Sequence, residues 1–324
     1  MAQHFLLSTK ARTLSLAKVL RLSDQEAFDT FKAIRWADNN GDAYCPKCGC
    51  TAHYFLKNRR MWRCKGCGWQ YSVTSGTIFA SRKLALQDIL GAIAIFVNGA
   101  KGHSALQLSR DLDVQYKTAF VLAHKLREAM ASEISDEKLS GEVEIDGCYM
   151  GGHIRPANYK ENRIDRRLAV HQTGKRRVVV IMRERNGRSL PFVFKSEDAS
   201  IPTIEQHVAP NSTIYADEAS SWDSLHARYP MKRINHSEAY SDGQACTNQA
   251  ESFFSRLRRA EIGTHHHIAG PYLSSYADEM AWRENNRRQS NGAQYLKVAS
   301  AGLRHQVSRN WKGYWQRSVK EAAE

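Results

Sequence analysis

The stretch CPKCGCTAHYFLKNRRMWRCKGC, residues 45–67, contains two Cys-x-x-Cys pairs that decide the fold of this part of the chain. The pairs, Cys45-Pro-Lys-Cys48 and Cys64-Lys-Gly-Cys67, are separated by fifteen residues. Four thiolates at this spacing can close a tetrahedron around Zn²⁺. Gly49 and Gly68 follow the pairs, where a tight turn with positive φ brings backbone amides toward the sulfurs. The spacing therefore predicts a zinc ribbon over residues 43–80 with these four cysteines as ligands.

Two further residues of the ribbon are alternative zinc ligands. Cys50 has no partner cysteine at a suitable spacing, and His53 is expected at the surface, so neither enters the predicted ligand set. The chain has seven cysteines, an odd number that fits a reducing compartment and a metal better than a disulfide framework. The sequence leaves open whether the zinc only stabilises a small fold or also supports a surface that contacts a partner.

The charge balance indicates a polyanionic partner. The chain has 324 residues, enough for two or three domains, and its 47 Lys and Arg against 33 Asp and Glu give a formal net charge of +14. A pI near 9.5 favours nucleic acid as the binding partner. The longest apolar run, residues 89–97, is too short to span a bilayer, and residues 1–20 lack a signal-peptide core. We therefore expect a cytoplasmic, nucleoid-associated protein that binds double-stranded DNA and no membrane.

Helical patterns flank the ribbon on both sides. Ser23-Asp-Gln-Glu26 is a capping-box pattern, which predicts a short helix before the cysteines. Residues 84–130 carry apolar side chains at helical spacing in three segments, which predicts a three-helix unit. Its last two segments resemble a helix-turn-helix whose second helix would present Lys117 and Lys125 to DNA. A purely structural helical linker is the alternative for this unit.

Beyond residue 140, strand-like runs alternate with helical ones, which predicts a mixed α/β domain. The strand-like runs are 142–149, 177–183, 190–195 and 212–216, and the clearest helix is 248–260. The first run delivers Asp146 near the end of a strand, the last delivers Asp217, and the amphipathic helix carries Glu251. Three such carboxylates can converge on a cleft and hold two Mg²⁺ ions for in-line phosphoryl transfer. Any one of these acids, taken alone, is more typical of a solvated surface.

Motifs in three parts of the chain point to one family. They are the cysteine pairs followed by Thr74-Ser-Gly-Thr-Ile-Phe79, then Glu144-Ile-Asp146-Gly-Cys-Tyr-Met-Gly-Gly152, and finally Asn248-Gln-Ala-Glu251-Ser-Phe-Phe with Gly263-Thr-His-His-His267. Together they resemble the zinc-ribbon-bearing insertion-sequence transposases with a DDE catalytic domain, over residues 45 to about 288. The resemblance implies an RNase H-like fold in which Asp146, Asp217 and Glu251 hold catalytic Mg²⁺ or Mn²⁺. Some relatives have asparagine at the third position, which makes Asn248 the alternative there.

The predicted architecture is therefore multidomain α/β with a basic residue beside the acids. Arg258 lies seven residues beyond Glu251, two helical turns along the same face, where it can meet a DNA phosphate. The expected segments are an N-terminal helical segment (1–42), the zinc ribbon (43–80), a helix-turn-helix-like unit (81–136), an RNase H-like catalytic domain (137–290) and a basic C-terminal tail (291–324).

The predicted function is that of an insertion-sequence transposase. It would bind the terminal inverted repeats of its element and a target DNA, and catalyse metal-dependent strand cleavage and strand transfer. The resemblance implies a homodimer or a larger assembly on DNA, because two ends must be joined together. Two alternatives are a DNA-binding regulator without catalysis and a metal-dependent nuclease of RNase H-like fold that cuts but does not join.

Overall fold

The chain folds into one unit made of Met1–Glu133 with Arg288–Glu324, and a second unit, Ile134–Arg287. The computed structural model describes residues 5–151, 157–164, 171, 174–234 and 247–315. In chain order the helices are α1 (Leu16–Val19), α2 (Asp24–Arg35), α3 (Leu86–Asn98), α4 (Ala105–Asp111), α5 (Tyr116–Ala131), α6 (Ile201–His207), α7 (Asn248–Ala260), α8 (Leu273–Asn285) and α9 (Asn291–Arg304). The strands are β1 (His53–Leu56), β2 (Met61–Cys64), β3 (Gln70–Ser72), β4 (Glu142–Met150), β5 (Arg177–Glu184), β6 (Ser189–Phe194), β7 (Thr213–Asp217) and β8 (Met231–Ile234). None of the described helices is long and apolar enough to cross a lipid bilayer.

The helix before the cysteines begins at the predicted capping box. The Ser23 hydroxyl accepts from the Glu26 amide at 3.2 Å, and the Glu26 carboxylate accepts from the Ser23 amide at 2.7 Å. The buried face of α2 packs on the ribbon, where the Phe28 ring stacks on Trp62 with 5.6 Å between centroids. Arg35, at the end of α2, donates to backbone carbonyls that follow β3, and burial lowers its pKa to about 10. Helix α2 and the ribbon are thus packed as one module.

The ribbon itself is a three-stranded antiparallel sheet of order β1-β2-β3, which lies within the range 43–80 predicted for it. The predicted three-helix unit is also present, as α3, α4 and α5. The turn between α4 and α5 contains Asp113 with φ of 51°. The Val114 amide closes this turn by donating to the Ser109 carbonyl at 2.9 Å.

The C-terminal segment forms a helix of the first unit. Helix α9 packs against α2, α3 and α5. A Cβ atom on Gly302 would lie 2.7 Å from the Phe79 ring, so this close approach requires glycine. At the start of α9, the Asn291 side chain accepts from the amides of Thr13 and Leu14 at 2.9 and 2.8 Å. Residues 291–304, which the sequence assigned to a basic tail, therefore pack against the N-terminal helices.

The second unit is built on a five-stranded mixed sheet of order β6-β5-β4-β7-β8. Strands β4, β5 and β6 are antiparallel neighbours, whereas β7 runs parallel to β4 and β8 runs parallel to β7. Val179 and Ile181 of β5 pack with residues of α7 and α8, and Val178 and Val180 pack on the other face with Ile204 of α6. Helices thus cover both faces of the sheet, as expected for an RNase H-like domain.

Strand β4 differs from its predicted shape at one point. Asp146 lies in the middle of the strand, which continues through Gly147 to Met150. The continuation is possible because β5 pairs with β4 from Val143 to Met150, whereas the pairing of β4 with β7 ends at Glu144. Asp146 therefore lies just beyond the point where β4 loses its parallel neighbour. Helix α7 has the predicted bounds, 248–260.

Candidate active site and metal centre

The four predicted cysteines converge on one metal centre. Their sulfur atoms all lie within 4.8 Å of one another, and they form the metal-ligand cluster found among the described residues. The Sγ–Sγ distance is 3.6 Å both for Cys45 and Cys67 and for Cys48 and Cys64. Four thiolates bonded to Zn²⁺ at about 2.3 Å have sulfur–sulfur separations close to this value. The donor set therefore fits a structural zinc ion, and Cys50 lies outside the cluster.

A tight turn of the same kind follows each cysteine pair. The Gly49 amide donates to the Cys45 carbonyl at 2.8 Å, and the Gly68 amide donates to the Cys64 carbonyl at 3.1 Å. Both glycines have positive φ, 73° and 70°, as their positions after the cysteine pairs predicted. The backbone N–H of Cys67 lies 3.4 Å from Cys64 Sγ and lowers the pKa of that thiol to about 6. The second turn thus favours the thiolate form of Cys64, which is the form that binds zinc.

The two predicted aspartates lie on neighbouring parallel strands. Glu144 of β4 is paired with Tyr215 of β7, and Asp146 and Asp217 each follow two residues later. The Asp217 carboxylate accepts from the Trp222 indole N–H at 2.8 Å. Strand register thus brings the two acids side by side, and the buried indole fixes the orientation of Asp217.

An open cleft of about 460 Å³ lies beside Asp146. Its lining residues are Asp146, Gly147, Glu251, Phe254, Ser255, Arg258, Arg259 and Ile262. Glu251 is in the first turn of α7 and Arg258 follows on the same helix, so the predicted acid and the predicted cation reach the same cleft. Neither Asp217 nor Asn248 is among the described residues that line it. Asn248 is exposed at the first position of α7.

The electrostatics of the cleft show that the acids are close together. Burial raises the pKa of Asp146 to about 7, and the carboxylates of Asp217, Glu251 and Glu197 act in the same direction. The Gly147 amide, which donates to Asp146 Oδ1 at 2.7 Å, opposes this shift. Neighbouring carboxylates around a half-buried acid favour a cation, but among the described residues only the four cysteines converge closely enough to form a metal-ligand cluster. Arg258 and Arg259 are exposed on the rim, where anionic groups of a ligand can meet them.

Glu197, which no sequence motif indicated, is also part of this cluster. A Cβ atom on Gly147 would lie 2.5 Å from Glu197 Oε1, so this carboxylate packs directly on the backbone next to Asp146. The Ser221 hydroxyl donates to the other Glu197 oxygen at 3.1 Å, and burial raises the pKa of Glu197. The only local signal was the glycine after Asp146, which indicates close approach but does not name the neighbour.

The two lysines predicted to contact DNA differ in exposure. Lys117 is exposed in the first turn of α5, with its Nζ 5.2 Å from the centroid of the Trp315 ring. Lys125 is half-buried two turns later, and burial lowers its pKa. Of the two, Lys117 is the better placed to meet a ligand from solvent.

Comparison with known families agrees with both parts of this description. Residues 138–285 match the ISXO2-like transposase domain, which spans the mixed sheet and the acidic cleft. Residues 22–70 match the transposase zinc-ribbon domain, which spans α2 and the four cysteines. Together the two domains define a transposase whose catalytic domain is preceded by a zinc ribbon. These two parts of the chain thus match the two domains of the zinc-ribbon-bearing insertion-sequence transposases.

A curated relative has a name of the same kind. The chain is similar to an "Uncharacterized transposase-like protein" of Haemophilus influenzae, with 28% identity over 103 residues. The similarity covers 32% of this chain and 83% of that relative.

Proposed function

We propose that the protein binds the ends of an insertion sequence and catalyses metal-dependent cleavage of DNA strands and their transfer to a target DNA. The main support is the cleft in which Asp146 and Glu251 face each other across β4 and α7, with Arg258 on its rim. Asp217 completes the acidic group from the neighbouring strand. The transposase family supplies the reaction class, and the cleft supplies the residues.

In this proposal the acids Asp146, Asp217 and Glu251 hold Mg²⁺ or Mn²⁺, for which carboxylate oxygen is a suitable ligand. When bound, the metal supplies activation of the attacking hydroxyl and stabilisation of the leaving oxygen. Trp222 keeps Asp217 oriented through its indole N–H, and the Gly147 amide does the same for Asp146. Arg258 binds a phosphate of the DNA backbone beside the scissile bond.

The chemistry consists of two phosphoryl transfers at one site. In the first, water forms a bond to phosphorus while the bond to the 3′ oxygen breaks, which leaves a 3′ hydroxyl and a 5′ phosphate. In the second, that 3′ hydroxyl attacks a phosphodiester of the target, so one P–O bond forms as another breaks. Neither step needs a covalent enzyme intermediate, because the nucleophile is water or the DNA hydroxyl itself.

The first unit holds the DNA end in this proposal. Helix α5 would lie in the major groove with Lys117 near the backbone, as the second helix of a helix-turn-helix does. The ribbon offers Tyr54, which is 60% exposed and has Lys65 Nζ at 4.6 Å from its ring centroid. A basic and aromatic pair of this kind suits contact with phosphates and stacking on sugars or bases.

The decisive test is an assay of a labelled element-end duplex with a target plasmid and Mg²⁺ or Mn²⁺. The native protein is expected to give cleaved and joined products, whereas Asp146→Ala and Glu251→Ala should bind the end and give neither. Glu137→Ala is the matched control, because the Glu137 side chain is 85% exposed and does not line the cleft. Asn248→Ala tests the alternative third metal ligand. If this variant were inactive and Glu251→Ala were active, Asn248 would replace Glu251 as the third ligand.

The other outcomes identify the competing functions. Cleavage without joining, under every metal tested, would favour a nuclease. Specific binding without cleavage by any of the proteins would favour a DNA-binding regulator.

A further inference from the structure

Helix α7, which carries Glu251, is not capped by its own preceding residue. The side chain of Thr247, at the N-cap position, makes no capping hydrogen bond to the first turn. A carboxylate oxygen of Glu144, Oε2, instead accepts from the amides of Gln249 and Ala250 at 2.9 and 3.0 Å. These are the second and third amides of the helix, which an N-cap side chain normally satisfies. The cap therefore comes from a strand about a hundred residues earlier in the chain.

Glu144 is well suited to carry a negative charge at this place. Its side chain is 1% exposed, and Arg185 Nε donates to its other oxygen at 3.0 Å. The guanidinium of Arg185 lies 3.6 Å from the centroid of the Tyr215 ring, which holds it in place. The positive end of the helix dipole adds to this compensation. Both oxygens of Glu144 thus accept hydrogen bonds from N–H donors, one from Arg185 and the other from the first turn of α7.

The position of Glu144 links the two acids that line the cleft. On β4 it precedes Asp146 by two residues, so the two side chains share a strand face. On α7 it binds the amide of Ala250, the residue directly before Glu251. The Glu144 carboxylate therefore connects the strand that carries one acid to the helical turn that carries the other, beside the apolar packing of Cys148 and Met150 on α7.

We propose that Glu144 is a positioning residue, which sets the metal affinity of the cleft by holding the first turn of α7 against β4. This inference rests on the proposed function, since it assumes that Asp146 and Glu251 bind a divalent cation together. Glu144 itself touches neither the cation nor DNA in this assignment. Loss of a residue that orients metal ligands typically weakens metal binding 10- to 100-fold.

The test compares Glu144→Gln with Glu142→Gln in the full-length, zinc-loaded protein. Glu142 is the matched control because it lies on the same strand and contacts Arg185 and Tyr215. Unlike Glu144, it accepts no hydrogen bond from the described residues of α7. Mn²⁺ binding is measured without DNA by electron paramagnetic resonance of the free ion, and cleavage of the end duplex is measured against Mn²⁺ concentration. We expect Glu144→Gln to weaken Mn²⁺ binding about 10- to 100-fold, with saturating Mn²⁺ restoring most of kcat, and Glu142→Gln to resemble the native protein.

A second readout separates this role from the proposed function. Amide hydrogen exchange should become faster at Gln249 and Ala250 in Glu144→Gln and stay unchanged in Glu142→Gln. Native-like Mn²⁺ affinity in Glu144→Gln, or unchanged exchange at these two amides, would overturn the positioning role. Failure of the native protein to bind any Mn²⁺ would instead overturn the proposed metal site, whatever the exchange rates show.

Discussion

At Asp146 the fold holds a carboxylic acid where ionisation is unfavourable without a cation. Its pKa of about 7 stands well above the ordinary value of 3.8, because burial and the neighbouring carboxylates destabilise the charged form. This destabilisation is local strain that a bound cation would relieve. The residue that we assign to catalysis is thus also one that reduces the stability of the metal-free fold.

The sign of the resulting pH dependence follows from proton binding. Between about pH 4 and pH 7 the folded chain keeps a proton on Asp146 that the unfolded chain has released, so stability falls as pH rises through this range. Asp146→Asn removes the effect, and should raise the free energy of unfolding by about 2–4 kcal/mol near pH 8 but change little near pH 4. Urea unfolding of the zinc-loaded protein without Mg²⁺, followed by circular dichroism, measures both values.

Asp278 provides the control for this prediction. Burial raises its pKa to about 7 as well, so Asp278→Asn should show the same pH trend. The variants should differ in their response to cations, because Mg²⁺ should stabilise Asp278→Asn and the native protein but not Asp146→Asn. An equal gain of Asp146→Asn over the native protein at both pH values would contradict the assigned pKa shift.

At the scale of elements, we expect the ribbon to need a bound zinc ion in addition to its small core. Its strands have three to four residues each, so the cluster of four thiolates supplies much of the cooperativity. Cys64→Ser should therefore abolish the binding of about one zinc per chain and expose Trp62, which is buried against Tyr71 with 5.7 Å between ring centroids. Metal analysis and tryptophan fluorescence measure these changes.

Cys50→Ser is the matched substitution for the ribbon. Its sulfur approaches the Ala52 carbonyl at 3.6 Å and lies outside the four-sulfur cluster, so zinc content should be unchanged. Retention of zinc by Cys64→Ser together with loss in Cys50→Ser would reverse the ligand assignment.

Helix α5 allows a second comparison between two like residues. Lys117 is exposed and Lys125 half-buried, so only Lys117→Ala should reduce the salt dependence of binding to the end duplex. One phosphate contact corresponds to a change of about 0.9 in the slope of log K against log salt concentration. Fluorescence anisotropy over a range of salt concentrations gives the slopes. Equal slopes for the native protein and Lys117→Ala would exclude that lysine from the phosphate contacts.

Local patterns in the sequence predicted the elements but not the contacts between distant ones. The cysteine spacing gave the ribbon, and amphipathic periodicity gave the bounds of α7, because both signals lie within a few turns of chain. The capping of α7 by Glu144 and the approach of Glu197 to Gly147 depend on how strands and loops pack in three dimensions. Residue spacing in the sequence does not predict contacts between residues so far apart in the chain, so these contacts required the structure.

At the scale of the whole molecule, the chain contains one acidic cleft among its described residues and a separate unit proposed to bind DNA. Joining two ends of an element to one target involves a cleavage step and a joining step at each end. The described part of a single chain offers one such site, so we expect two chains to cooperate, each with its own cleft. This expectation concerns the active assembly on DNA and can be tested without a structure of that assembly.

Mixing active and inactive chains tests this cooperation. If dimers form at random, an equal mixture of native protein and Asp146→Ala contains about a quarter of dimers with two intact clefts. Products with both ends joined should therefore fall to about a quarter of the native yield, and products with one end joined should increase, because about half of the dimers have one intact cleft. Gel analysis of the joined products from preincubated mixtures gives both yields, with Glu137→Ala in place of Asp146→Ala as the control. A yield of doubly joined product that falls only in proportion to the amount of native protein would show that one chain carries out both joining steps, and the expectation of paired clefts would then be wrong.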